Sequence, residues 1–144
     1  MDMNILVLNR HMAQAYKPLQ RVGVISIYSP DDVPATLSPN CAAIHLAFSD
    51  LSEVQYLKYR DSRYKLVLFN RALAKKILDH VDELVKSGVS DFMVHCDAGV
   101  SRSPAVALAL KRIYTGDISV PPAWGLYNIH VYTTMMEEYY ENRI

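Results

Sequence analysis

Several things are scarce in this 144-residue sequence, and each scarcity excludes a class of function. Charge of one sign is absent: 15 basic and 15 acidic residues cancel. No global field therefore draws the chain to nucleic acid or to a membrane surface, and any taste for anions must be local. Cysteine is nearly absent. Cys41 and Cys96 are too few for a disulfide framework, which points to reduced thiols and a cytoplasmic setting. Long apolar runs are missing, so no membrane span is expected. Residues 5–8, behind the acidic start Met1-Asp2-Met3-Asn4, are too short for the core of a secretory signal. The five histidines lack metal-ligand spacing, so neither metal nor cofactor is expected. No repeat, low-complexity tract or linker interrupts the chain, and residues 1–144 are expected to form one domain.

What is present is ordinary globular material, 51% apolar and 21% charged. Residues 5–8, 22–28, 43–48 and 92–95 are short apolar or β-branched runs of strand character. Ser29-Pro30-Asp31-Asp32 is a turn signal, and Pro34 and Pro39 keep the next stretch irregular. Pro18 limits any helix that begins after residue 9. Residues 49–65 read as a polar, tyrosine-rich loop with some local helix. Leu73, Ile77, Val81 and Leu84 repeat at helical spacing, and Gly88 follows at a helix end. Residues 104–114 form an almost wholly apolar helix, so it is buried on most sides. A last helix follows Asn128, a natural N-cap, with Tyr132, Met135, Met136, Tyr139 and Tyr140 as its packing stripe. Alternating strands and helices predict a three-layer α/β fold. Its centre is a mostly parallel sheet of about four to five strands, flanked by helices. Ligands gather at the carboxyl ends of strands in such sheets.

At one such end stands Val94-His95-Cys96-Asp97-Ala98-Gly99-Val100-Ser101-Arg102-Ser103-Pro104. An apolar strand runs into a tight loop that opens on a cysteine and closes on an arginine, with the next helix starting near Ser103. The thiolate is the nucleophilic form of cysteine. A helix N-terminus and the charge of Arg102 both favour that form. The same features bind phosphate. The N–H groups of residues 97–102 can curl into an anion nest, Gly99 relieves steric limits, and Arg102 offers a planar fork to two oxygens.

The run from His95 to Pro104 resembles the signature of the cysteine-based protein tyrosine phosphatase superfamily, its dual-specificity branch in particular. That resemblance implies a phosphotyrosine protein phosphatase fold. It also implies hydrolysis of phosphotyrosine, with phosphoserine and phosphothreonine as further substrates, on a phosphorylated protein and through a phosphocysteine on Cys96. Asp97, Ala98, Gly99, Val100, Ser101 and Arg102 would hold the phosphate or another oxyanion. Ser103 would assist departure of the thiolate, and His95 would orient the loop and help keep Cys96 ionised. The general acid would come from a loop behind an earlier strand, which selects Asp50, with Asp61 as runner-up.

Structural readings stand beside these roles. Asp50-Leu51-Ser52-Glu53 also reads as a capping box, and Ser103 as an N-cap. Lys58, Arg60, Arg63 and Lys65 read as a solvated face that would otherwise steer phosphorylated substrates. Cys41 is a conceivable redox partner of Cys96 only if geometry allows it. Two functional alternatives remain. One is a phosphatase acting on a non-protein phosphomonoester of RNA or lipid. The absence of lysine between Cys96 and Arg102 disfavours inositides, and the net charge disfavours RNA. The other is a non-catalytic phosphate-binding pseudophosphatase, against which the presence of both Cys96 and Arg102 argues.

Overall fold

A computed structural model describes residues 1–144. The chain runs β1 (Asn4–Asn9), α1 (Arg10–Ala15), β2 (Val22–Tyr28), β3 (Cys41–Ala47), α2 (Glu53–Tyr59), α3 (Arg71–Lys86), β4 (Asp91–Cys96), α4 (Arg102–Thr115), a single 3-10 turn (Pro122–Trp124) and α5 (Ile129–Asn142). Four strands form one sheet in the order β1-β4-β2-β3, and every pairing is parallel. All four carboxyl ends therefore lie along one edge, and β4 is an inner strand that delivers Cys96 to it.

The two faces of the sheet are covered unequally. Ile25 and Ile27 of β2 and Phe92 and Val94 of β4 point to one face. There they meet Ala74, Ile77 and Val81 of α3, the apolar half of α4, and Val131 and Met135 of α5. The alternate residues Val22, Val24 and Met93 point to the other face, which only Ala13 of α1 and neighbours such as Tyr16 and Leu37 cover. Strand alternation thus builds a thick layer on one side and a thin one on the other.

Local chemistry explains the element ends. Asn9, Asn70 and Asn128 each accept a backbone N–H at the start of a helix. Gly116, at φ +77°, closes α4 in the left-handed region. α4 is buried without a break from Arg102 to Leu110, as its composition predicts. It begins at Arg102, so Pro104 sits third in the helix, still within the first turn, where a missing N–H costs nothing. The capping box lies two residues later than expected. Ser52 and Gln55 make the reciprocal bonds, and Asp50 takes no part in them.

Cys41 and Cys96 are both free. Cys41 opens β3 in register with Val22, whereas Cys96 closes β4, with β2 between the two strands. The five-residue offset alone separates them by roughly 16 Å along the strands. A disulfide is out of reach.

Gly23 of β2 lies under the ring of Phe92. A Cβ there would stand 2.5 Å from Phe92 Cε1 and 2.8 Å from Leu84 Cδ1. Gly23→Ala is expected to cost about 1–3 kcal/mol through overpacking. Phe92→Leu in the same chain should recover part of that loss, as measured by urea unfolding of the two single variants and the double variant.

Candidate active site

Cys96 is the last residue of β4, and only 2% of it is exposed. Its sulfur faces donors. The Gly99 N–H donates to Sγ over 3.3 Å, and the Ser103 hydroxyl lies 3.1 Å away. Ser103 is the second residue of α4, so it reaches the sulfur from within the helix and does not cap it. The N-cap is Ser101, whose side chain caps nothing. Its hydroxyl donates instead to Asp50 Oδ1 at 2.7 Å. The N–H groups of Asp97, Ala98, Val100 and Ser101 find no protein acceptor. They surround the amino end of a 14-residue helix, an arrangement suited to a multiply charged anion.

The loop is held in this curl from several sides. Gly99 has φ +73°, and a Cβ on it would lie 2.9 Å from the Asn9 nitrogen and 3.0 Å from the Leu8 carbonyl carbon. The residue is thus required both by its dihedral and by the backbone of β1 behind it. The carbonyl of Asp97 accepts the N–H of Arg10, the first residue of α1, at 3.1 Å.

Arg102 is buried, with its guanidinium laid across the carboxyl ends of β2 and β3. Nη1 donates to the Phe48 carbonyl at 2.8 Å and to Ser29 Oγ at 3.2 Å. Nη2 pairs with Asp97 Oδ2 at 3.2 Å, and Ser29 Oγ donates to the same oxygen at 2.9 Å. Asp97 is thus more than a loop spacer, because its carboxylate is the counter-ion of the arginine.

Asp50 follows β3 and is exposed. Its Oδ1 accepts from Ser101 and, at 2.9 Å, from Asn128 Nδ2. Its Oδ2 meets no protein donor. Asn128 also donates to the Leu51 carbonyl and accepts from Val131 N, so the cap of α5 fixes the Asp50 loop as well. Asp61 is exposed on the far part of the excursion beyond α2 and bonds to nothing in the loop. Of the two candidate acids, the fold brings only Asp50 to the loop.

His95 is fully buried. Its Nε2 lies 2.6 Å from Ser26 Oγ, and its Nδ1 lies 3.5 Å from the Cys96 carbonyl. Burial is the main cause that lowers its pKa, which favours the neutral ring near neutral pH.

Comparison with family models and with curated proteins gives no match. Solved structures do match. Human DUSP28 superposes with a TM-score of 0.58 at 17% identity, covering 93% of this chain and 90% of its own. The human tyrosine phosphatase-like serine/threonine/tyrosine-interacting protein superposes with a TM-score of 0.58 at 14% identity, covering 93% and 89%. A mouse dual specificity phosphatase complexed with zinc tungstate gives 0.56 at 16% identity, covering 93% and 80%. The chain has the dual-specificity phosphatase fold.

Within that phosphatase fold, three neighbours of the loop residues escape a reading of the sequence. They are Ser29 and the Phe48 carbonyl, which meet Arg102, and Ser26, which meets His95. Ser26 offers the one faint signal, a hydroxyl in the middle of the β-branched run 22–28. Asn128 is legible as a cap but not as a partner of Asp50.

The buried neutral state of His95 sets a pH dependence. Its pKa is lower in the folded than in the unfolded chain, so below about 6.5 the unfolded state binds more protons. Stability therefore falls as pH drops through that value toward the folded pKa. Urea unfolding at pH 7.5, 6.5 and 5.5 should show the decline, and His95→Asn should reduce it, with His45, also lowered by burial, keeping the remainder.

Proposed function

We propose that the chain is a phosphoric monoester hydrolase acting on phosphotyrosine, and more slowly on phosphoserine and phosphothreonine, in a phosphorylated protein. One observation carries the reading. Cys96 Sγ sits between the Gly99 N–H and the Ser103 hydroxyl at the amino end of α4, in a loop that has four unpaired N–H groups and closes on the buried Arg102. A candidate nucleophile, free N–H donors and a cation carried by one short loop support that chemistry.

In the first step Cys96 Sγ bonds to phosphorus as the phosphorus–oxygen bond to the tyrosyl group breaks. Asp50 gives a proton to the departing oxygen from the oxygen not engaged by Ser101 and Asn128. In the second step a water oxygen bonds to phosphorus, Asp50 takes the proton, and the sulfur–phosphorus bond breaks. The Ser103 hydroxyl donates to the thiolate as it leaves. Arg102 and the loop N–H groups hold the equatorial oxygens throughout, and Asp97 yields the arginine to them.

A protein substrate is favoured by the surface beside the site. Residues 50–66 leave and return at one point, where Ser49 N–H donates to the Val67 carbonyl at 2.8 Å and Val67 N–H to Ser49 Oγ at 3.0 Å. This excursion carries Lys58, Arg60, Arg63 and Lys65, all exposed and none in an ion pair with a carboxylate. Long excursions rooted at a site more often serve recognition than folding. The presence of both Cys96 and Arg102 argues against the pseudophosphatase alternative.

Turnover of an activated aryl phosphate, p-nitrophenyl phosphate, in the presence of a chelator tests the reading. Cys96→Ser should abolish it, and full retention would refute the assignment. On a phosphotyrosine peptide, whose leaving group is poorer, Asp50→Asn should lose on the order of 10²-fold or more in kcat. Asp61→Asn should lose almost nothing. Replacing the four exposed cations by Gln should weaken kcat/KM for an acidic phosphopeptide at low salt and leave aryl phosphate turnover unchanged.

A further inference from the structure

The side chains of His45, Ser26 and His95 form a row across the sheet. Ser26 is in register with His45 on β3 and with His95 on β4, so three adjacent strands place the three residues abreast on the thinly covered face. Ser26 Oγ lies 2.9 Å from His45 Nδ1 and 2.6 Å from His95 Nε2. His95 Nδ1 faces the Cys96 carbonyl. The row starts at an exposed ring and ends at the peptide that opens the anion loop.

A hydroxyl has one proton, which sets a polarity on this row. If Ser26 gave its proton to His45, it would have to accept from His95 Nε2–H. The neutral His95 ring would then turn a bare Nδ1 lone pair toward the Cys96 carbonyl, acceptor against acceptor. In the opposite sense every contact is satisfied. His45 Nδ1–H donates to Ser26 Oγ, Ser26 O–H donates to His95 Nε2, and His95 Nδ1–H points at the Cys96 carbonyl.

The consequence reaches the loop through the peptide plane. In a trans peptide the carbonyl of Cys96 and the N–H of Asp97 point in opposite directions. Holding the carbonyl toward His95 turns the Asp97 N–H the other way, into the curl of the loop. That N–H is one of the four without a protein acceptor.

We infer that His45 and Ser26 are positioning residues which, by fixing the tautomer of His95, aim the Asp97 N–H at the bound oxyanion. The inference rests on the anion-binding part of the reading above and not on turnover. Other charged groups around His95 are Arg10 of α1 and Asp97 of the loop. Arg10 opposes a second positive charge on the ring, and Asp97 favours one. Burial is the largest influence and keeps the ring neutral, as the tautomer requires.

Nitrogen-detected NMR of the imidazoles in the full chain at pH 7.5 tests this directly. His95 should appear as one Nδ1–H tautomer. His45→Leu removes the donor and should give a tautomer mixture, a several-fold loss of tungstate affinity by calorimetry, and slower alkylation of Cys96 by iodoacetamide. His45→Asn, which restores an N–H donor near the Nδ1 position, should return all three to near the wild-type values. These results would support the inference whether or not the chain hydrolyses a phosphate ester. A wild-type His95 found as the Nε2–H tautomer or as the imidazolium would overturn it. So would an unchanged His95 tautomer in His45→Leu, or failure of Asn to rescue a variant that melts like the wild type. Ser26→Ala, if folded, should reproduce the loss seen in His45→Leu; if it does not fold, the His45 pair decides.

Discussion

A sulfur is buried at the end of an inner strand, and the loop around it is arranged by that burial. Cys96 is almost sealed from water, so donors that water would supply must come from the protein. Two reach the sulfur itself, the Gly99 N–H and the Ser103 hydroxyl. The rest is the amino end of α4, left uncapped because Ser101 spends its hydroxyl on Asp50. An ordinary N-cap here would satisfy the helix and take up N–H groups that now stay free. One side chain thus leaves the helix end open and ties down Asp50.

Charge in the site is balanced locally, in keeping with a chain whose net charge is zero. Burying an arginine without a partner would cost several kcal/mol. Arg102 is met by the Phe48 carbonyl, Ser29 and Asp97, drawn from the ends of β3, β2 and β4. The guanidinium therefore cross-links the carboxyl edge of the sheet. On the proposed function, an oxyanion entering the loop would compete with Asp97 for Nη2, so this pairing would stabilise the arginine without permanently neutralising it. An apolar residue in place of Asp97 would leave the arginine more open to anions and the folded chain with a less compensated buried charge.

The candidate nucleophile and clamp are legible in the sequence because their residues are contiguous. Cys96, Gly99 and Arg102 lie within one short loop, and the apolar run after Pro104 announces the helix whose end they use. Asp50 was placed from the order of elements, but its surroundings were not legible. The apparent capping signal at Asp50-Leu51-Ser52-Glu53 belongs to Ser52 and Gln55 instead. No local pattern could show that Asn128, 78 positions away, holds its carboxylate. The His45–Ser26–His95 row was invisible for a related reason. It depends on strand order and register, and β4 lies beside β2 although α2 and α3 intervene in sequence. Parallel sheets hide such rows, because residues that stand abreast are never neighbours in the chain.

The unequal faces of the sheet turn this hidden register into a division of labour. The face under α3, α4 and α5 is apolar and continuous, and it fixes the position of Cys96 as one more core residue. The opposite face is covered by one short helix, and strand alternation sends His95, Ser26 and His45 there. A polar row on the thick face would be deprived of water throughout and would need every partner satisfied within the core. On the thin face the row begins at an exposed ring, so its outermost donor can exchange protons with solvent while its innermost one stays dry. The sulfur and the buried imidazole thus sit on opposite faces of one strand, one residue apart, in two different surroundings.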